Sequence, residues 1–472
     1  MLAGSVSVGK LQDWSPEPGS LISWQVTPKS REKAGAAPVS DVPPSYQQAR
    51  HLRQFSEQAK EGIEYSRLLI GSCDVPGRCD LRAMTYTFNA HVRRHDTYRS
   101  WFDYIDADHI VRHTIADPND IEVRATRHGE VNAEEMREHI LETPSPLQWD
   151  CFRFGIIQRE EHFTLYMSID HLLMDAQFTA VILLEWQAMY NAITAGGQPI
   201  ALPTGGDYDA YCRRQRAYAG ELTADSPEIK AWVEFAEGND NTIMPTFPLP
   251  LGDRSGPHAG STLSLTLLDE DETHRFEAAC VASGARFIGG LLACLAMTER
   301  ELTGADHYSG VSPIDTRQPD EMVTMGWYTG VVPVSIPVGA STFAEVAGAA
   351  QASFDAGIAL SRVPFDRVIE LAPHISRPGP NWPLVNFLDG GVPPVSAMLA
   401  ALEGRNAGLF SDGRASYQLS IFIYRFTETV LTIVHPDNPV ALESLIRYTD
   451  TLKSMCAAVA AGREPALGQS RQ

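Results

Sequence analysis

The chain has 472 residues, 38 Lys and Arg against 59 Asp and Glu, and a formal charge of −21. A chain this acidic offers no global basic surface for a nucleic-acid backbone and no polybasic membrane anchor. Its 44% hydrophobic content excludes disorder over most of its length and suits several domains of about 100–200 residues, or two large lobes.

Residues 1–45 are rich in Pro, Ser and Gly, with a strand expected at Leu21–Val26. The N-terminus lacks the continuous apolar stretch of a signal peptide. Nowhere do roughly 18 consecutive apolar residues occur, as a spanning helix requires. The cysteines (Cys73, Cys79, Cys151, Cys212, Cys280, Cys294 and Cys456) are odd in number and form no CxxC pair. A reduced, cytosolic chain with buried thiols is expected. Helices are expected at Ser45–Ser66, after Pro43-Pro44, and at Leu81–Arg94, where Leu81, Met84, Phe88 and His91 fall at helical spacing. Phe152–Gln158 reads as a strand. His162–Ile169 follows, with Phe163, Leu165 and Met167 alternating against Thr164, Tyr166 and Ser168. Ala176–Tyr190 then reads as a helix. Glu237–Gly260, containing PTFPLPLGDRSGP, is the expected linker between residues 1–240 and 241–472. Beyond it come a strand at Leu263–Leu268, a helix at Asp269–Ser283 with an acidic first turn, and a helix at Phe287–Leu302. Val331–Val338, Ser341–Ser361, Leu384–Leu388, Gln418–Phe426, Thr429–Val434 and Ala441–Ala461 continue the alternation. Strands and helices in both halves predict two α/β lobes of similar size.

The most informative segment is Ser168–Ala176, reading SIDHLLMDA. A period-2 strand runs into His171, and a helical pattern starts about five residues later. His171 therefore stands where the chain turns, and its imidazole can project into a cleft. A neutral histidine suits proton abstraction from a hydroxyl near neutral pH. The plain alternative is a structural histidine at a strand end. Asp175, near the helix start, can cap it and accept a bond from a cation or amide.

Around this segment the sequence resembles the condensation-domain superfamily, which groups nonribosomal-peptide condensation domains, chloramphenicol acetyltransferase-like enzymes and polyketide-associated acyltransferases. The shared motif HHxxxDG is matched at His171 and Asp175, with Asp170 at the first His and Ala176 at the Gly. Further segments resemble family motifs in the expected order. These are Arg94–Phe102, Tyr208–Gln215, Gly310–Arg317, Met325–Val334 and Val363–Asp366. The opening KLQDWSPEPGSLISWQVTP and the later NWPLVNFLDGG look like the mycobacterial polyketide-associated acyltransferases that decorate trehalose lipids.

The resemblance implies two chloramphenicol acetyltransferase-like lobes forming a V with a central channel, of mixed α/β (α+β) class. It implies His171 as general base and Asp175 as an orienting residue paired with Arg317. It places Asp170, Ala176, Trp327, Tyr328, Thr329 and Asn386 along the substrate channel, though Trp327–Thr329 equally suit a packed loop, and Asn386 equally suits a bond to neighbouring backbone. The implied reaction moves a long fatty or polyketide acyl group from a thioester to a hydroxyl of trehalose or an acylated trehalose. No cofactor is implied; acyl-coenzyme A or an acyl carrier is the co-substrate, and a polyketide synthase carrier domain is a candidate partner. The expected location is the cytoplasm, extending to the inner face of the membrane. No GxSxG elbow occurs, so no serine nucleophile is expected, and Cys151 and Cys212 read as core residues. No HxH or HExxH metal spacing occurs. Arg93, Arg94 and His95 fall in a structural motif. Arg213, Arg214 and Arg216 form the one tight basic cluster, open to a coenzyme A phosphate, an acidic carrier or plain solvent. Gly289-Gly290 with Leu291, Leu292 and Leu295 permit close helix approach, beside a tunnel or in ordinary packing. Two other readings remain: amide-forming condensation, which the lack of attached synthase modules disfavours, and a silent binding module, which the presence of both His171 and Asp175 disfavours.

Overall fold

The computed structural model describes residues 2–3, 6–253, 260–339, 342–377, 383–393, 395–414 and 419–465, and several of its helix ends follow caps carried by the sequence. Ser45 and Gln48 close a reciprocal capping box on helix Tyr46–Lys60, and Gly62 turns left-handed (φ +72°) just past its end. The helix therefore stops short of Ser66. Asp80 caps Leu81–Arg94, the range that the periodicity predicts.

The chain forms two units. One comprises Met1–Tyr218, Arg317–Tyr328 and Pro394–Arg414; the other comprises Ala219–Thr316, Thr329–Pro393 and Ala415–Gln472. A single boundary near residue 240 does not describe this arrangement. Strand Ala407–Ser411, late in the chain, joins the first unit by inserting between Val6–Lys10, in parallel, and Leu68–Pro76, antiparallel. Proline and glycine mark loops; they do not report which sheet a later strand joins. The expected linker contains no strand or helix over residues 238–253, only an isolated bridge from Thr242 to Ser376, and residues 254–259 lie outside the described ones.

The first unit is built on an eight-stranded sheet. Its strand order is Leu2–Ala3, Val6–Lys10, Ala407–Ser411, Leu68–Pro76, His162–Asp170, Phe152–Gln158, Gly19–Val26, Val123–Val131. Strand His162–Asp170 lies well inside it. Alternation in this strand implies one solvated face, yet both faces are covered. Phe163, Leu165, Met167 and Ile169 join a core with Phe88, Phe154 and Trp186. On the other side Tyr166 packs with Met136 and Ile140 of helix Ala133–Leu141, and its hydroxyl meets His139 Nε2 at 3.0 Å. The period-2 pattern thus separates two cores. Burying each large apolar side chain contributes about 1.5–3 kcal/mol, so the strand leading to His171 is firmly anchored.

The second unit has a four-stranded sheet, Gly260–Leu268, Thr429–Pro436, Leu419–Arg425 and Pro383–Asp389, whose last two strands pair in parallel. Strands His307–Asp315 and Thr329–Pro337 form a separate antiparallel pair. Gly289 and Gly290 sit in helix Phe287–Thr303, where a Cβ on Gly290 would stand 2.1 Å from Cys280 Sγ. Leu291, Leu292 and Leu295 are buried in the same core, so these glycines serve helix packing. Gly290→Ala is expected to lower stability by about 1–3 kcal/mol through overpacking. Chemical denaturation of Gly290→Ala, and of Gly290→Ala with Cys280→Ala, checks this; the second change should recover much of the loss.

Candidate active site

The site is assembled at the end of strand His162–Asp170. The His171 N–H donates to the Arg67 carbonyl at 2.8 Å, and the Leu173 N–H turns back to the Asp170 carbonyl at 3.0 Å. The chain reverses over residues 171–177 and enters helix Phe178–Gly196. Ala176 is exposed and keeps a negative φ, so alanine meets no backbone penalty at the position where the motif carries glycine.

The half-buried His171 lies on the indole of Trp327, ring centroids 3.7 Å apart and planes at 31°. Burial, reinforced by His51, holds its pKa down at about 4, against a partial opposing pull from the backbone of His171, the Asp170 carboxylate and the backbone of Met174. Nδ1 is buried without a hydrogen-bond partner among the described residues. The imidazole is therefore neutral at physiological pH and chemically a base. If it takes the substrate proton, activity fails only as pH falls through this value. The acid limb of kcat/KM is expected to have its midpoint near pH 4. A midpoint at 6.5, the ordinary histidine value, would contradict the assignment.

Asp175 is buried and faces away from the imidazole into a polar clamp. Its Oδ2 accepts from Arg317 Nη1 at 2.9 Å and from the Tyr328 N–H at 3.0 Å, and its Oδ1 accepts from the Phe178 N–H at 3.2 Å. The Asp175 N–H and Arg317 Nη2 both donate to the Gly326 carbonyl, each at 3.1 Å. The guanidinium lies 4.5 Å from the Tyr328 ring centroid. One carboxylate thus ties the start of the helix to segment 317–328, which carries Trp327 onto His171.

Two residues expected along the channel are interior instead. Asp170 is fully buried, its Oδ1 held by His51 Nε2 and its Oδ2 by Arg67 Nη1, each at 2.7 Å. Burial alone would raise its pKa, but His51, Arg67 and the Leu172 N–H outweigh that and hold the carboxyl below its usual range. Tyr328 is fully buried against Tyr208 and Tyr211 and serves the site through its backbone N–H. A period-2 or motif reading cannot distinguish a side chain that lines a cavity from one that supports its wall. Thr329 and Asn386 belong to the second unit: Thr329 starts a strand opposite Asp315, and Asn386 Nδ2 donates to the Leu384 carbonyl at 3.3 Å.

The remaining candidates are taken up by the fold. Arg93 donates to the Ile121 carbonyl. Arg94, His91 and His95 surround the buried Glu185, with His91 Nδ1 at 3.0 Å and His95 Nε2 at 3.3 Å. Arg213 pairs with Asp41, Arg214 with Glu321, and Arg216 bonds the Pro44 carbonyl over the Tyr46 ring. Burial pushes the Cys212 thiol up to about 12 and also raises Cys151, so neither supplies a thiolate at neutral pH.

Sequence reasoning missed His51, Arg67 and Asp412. Asp412 Oδ2 accepts the N–H groups of Arg67 and Leu68, while the Arg67 guanidinium also reaches the Thr143 and Pro144 carbonyls. The usable signal was Gln47, Gln48 and His51, polar residues on what proves to be the buried face of helix Tyr46–Lys60.

The condensation domain, as a family, matches residues 42–377. The 2'-acyl-2-O-sulfo-trehalose (hydroxy)phthioceranyltransferase PapA1 of Mycobacterium bovis is 54% identical over 462 residues, 98% of this chain and 90% of that protein. The trehalose-2-sulfate acyltransferase PapA2 of the same organism is 49% identical, over 97% of this chain and 98% of that protein. A solved structure described as PapA2 acyl transferase superposes with a TM-score of 0.92 at 49% identity, covering 96% of this chain and 99% of that one.

Proposed function

The chain belongs to the condensation-domain family, among the mycobacterial PapA acyltransferases, and from that premise we propose that it moves a long acyl group from a thioester to a hydroxyl of trehalose or of an acylated trehalose. The observation that carries this reading is the neutral His171 at the strand end, its ring held by Trp327. His171 takes the proton of the acceptor hydroxyl. The oxygen attacks the thioester carbonyl, the carbon–sulfur bond breaks, and the proton passes to the departing thiolate. The ester forms and the imidazole is restored, so no covalent acyl-enzyme and no cofactor are needed. Asp175 and Arg317 act on architecture, fixing the turn and the Trp327 segment.

The thioester donor is coenzyme A-bound or carrier-bound. Among the described residues no single helix is long and apolar enough to cross a membrane. In this reading acyl transfer takes place in the cytoplasm, near the inner membrane face where an acylated sugar partitions. The test is to incubate purified protein with palmitoyl-coenzyme A and, separately, trehalose, 2-acyl-trehalose and the 2-sulfated form of each, and to seek the ester by mass spectrometry. Acylation of at least one acceptor is expected. No ester with any of them, under conditions where the protein is folded, overturns the proposal.

A further inference from the structure

The motif's first histidine position is occupied by Asp170, and an imidazole from another element bonds to its carboxylate. His51 comes from helix Tyr46–Lys60, is 2% exposed, and sets its Nε2 2.7 Å from Asp170 Oδ1. A carboxylate only accepts, so His51 Nε2 carries a hydrogen and donates it. Arg67 holds the other carboxylate oxygen at 2.7 Å. One turn earlier on the same helix, Gln48 Nε2 donates to the Leu172 carbonyl at 3.2 Å, so the helix grips both ends of the tripeptide Asp170–Leu172. The His51 ring stands edge-on to Trp327, centroids 5.5 Å apart at 76°, and 6.3 Å from the His171 ring. Trp327 thus lies in ring contact with both imidazoles.

We propose that His51 is a positioning residue for the transfer reaction: held by Asp170, which Arg67 fixes in turn, it braces Trp327 against His171 and sets a second imidazole 6.3 Å from the His171 ring. The inference rests on the proposed function only for what the His171 proton is used for. The titratable and charged groups around the cluster are Asp170, Arg67, Tyr65, Cys151, Asp412 and the Asp175–Arg317 pair. Of these and His51, His51 and Asp170 are the ones whose charges act on His171, and they act in opposite senses: His51 disfavours a proton there and Asp170 favours one.

That opposition gives the test. His51→Asn keeps a donor of shorter reach toward Asp170 and removes the ring. The His171 titration is followed by the proton resonances of its imidazole, and the acid limb of kcat/KM is measured beside it. His51→Asn is expected to raise the midpoint of both by about one pH unit, a tenfold gain in proton affinity. It should also lower kcat about tenfold with KM nearly unchanged. Asp170→Asn is expected to move the midpoint down. A merely structural role would reduce the folded fraction and leave the midpoint of the surviving protein in place; that result overturns the inference. If His51→Asn is not recovered folded, the sign with Asp170→Asn decides, and a rise or no change overturns it. If wild-type protein acylates no sugar, the proposed function fails, while the resonance titration still decides the role of His51.

Discussion

Replacing His171 with alanine is expected to slow acyl transfer about 10²–10⁴-fold, the usual contribution of a positioned general base. The fold should survive. His171 is half-buried, its Nδ1 makes no side-chain hydrogen bond among the described residues, and its main-chain bond to the Arg67 carbonyl does not depend on the side chain. What is lost is the ring contact with Trp327, worth about 0.5–1.5 kcal/mol for such a pair. The expected signature is therefore a large drop in kcat with a near-normal circular dichroism spectrum and a small shift in Tm. Activity within a few-fold of wild type would remove His171 from the chemistry.

Asp175→Ala is expected to act in the opposite way, on folding first. The change takes from the Arg317 guanidinium, whose side chain is 2% exposed, the carboxylate that holds it at 2.9 Å. Removing one partner of a buried pair typically costs about 3–5 kcal/mol, and here the Tyr328 and Phe178 N–H groups lose an acceptor as well. A large share of a marginal stability of about 5–15 kcal/mol is at stake. Folded yield and the urea midpoint should fall sharply. The double change Asp175→Ala with Arg317→Met removes the buried guanidinium as well and should recover part of the loss. A wild-type midpoint with abolished turnover would instead make Asp175 a direct participant.

Much of this site was legible because it is local in sequence. The strand running into His171, the turn, and the helix after Asp175 lie within one stretch, and their periodicities change where the chain turns. The choice of Arg317 came from family resemblance; no spacing links residues 175 and 317. What could not be read is long-range. Asp170 gave no sign that its partners would come from His51 and Arg67, because a buried ion pair needs no sequence pattern. Strand Ala407–Ser411 went unpredicted: AGLFS is short, and its pairing with Val6–Lys10 spans nearly the whole chain. Tyr328 was ambiguous for another reason. An aromatic after a tryptophan can face a cavity or a core, and only the packing of Tyr208 and Tyr211 decides between them.

The central claim is that His171 drives direct transfer from thioester to sugar with no acyl group stored on the protein. The most direct measurement is a single-turnover experiment with acyl-labelled palmitoyl-coenzyme A, with and without acylated trehalose, quenched under denaturing conditions. The account predicts label on the sugar only, dependent on acceptor, and absent from both sugar and protein in His171→Ala. Label bound covalently to a cysteine or serine of the wild-type protein, or unimpaired transfer by His171→Ala, would contradict it.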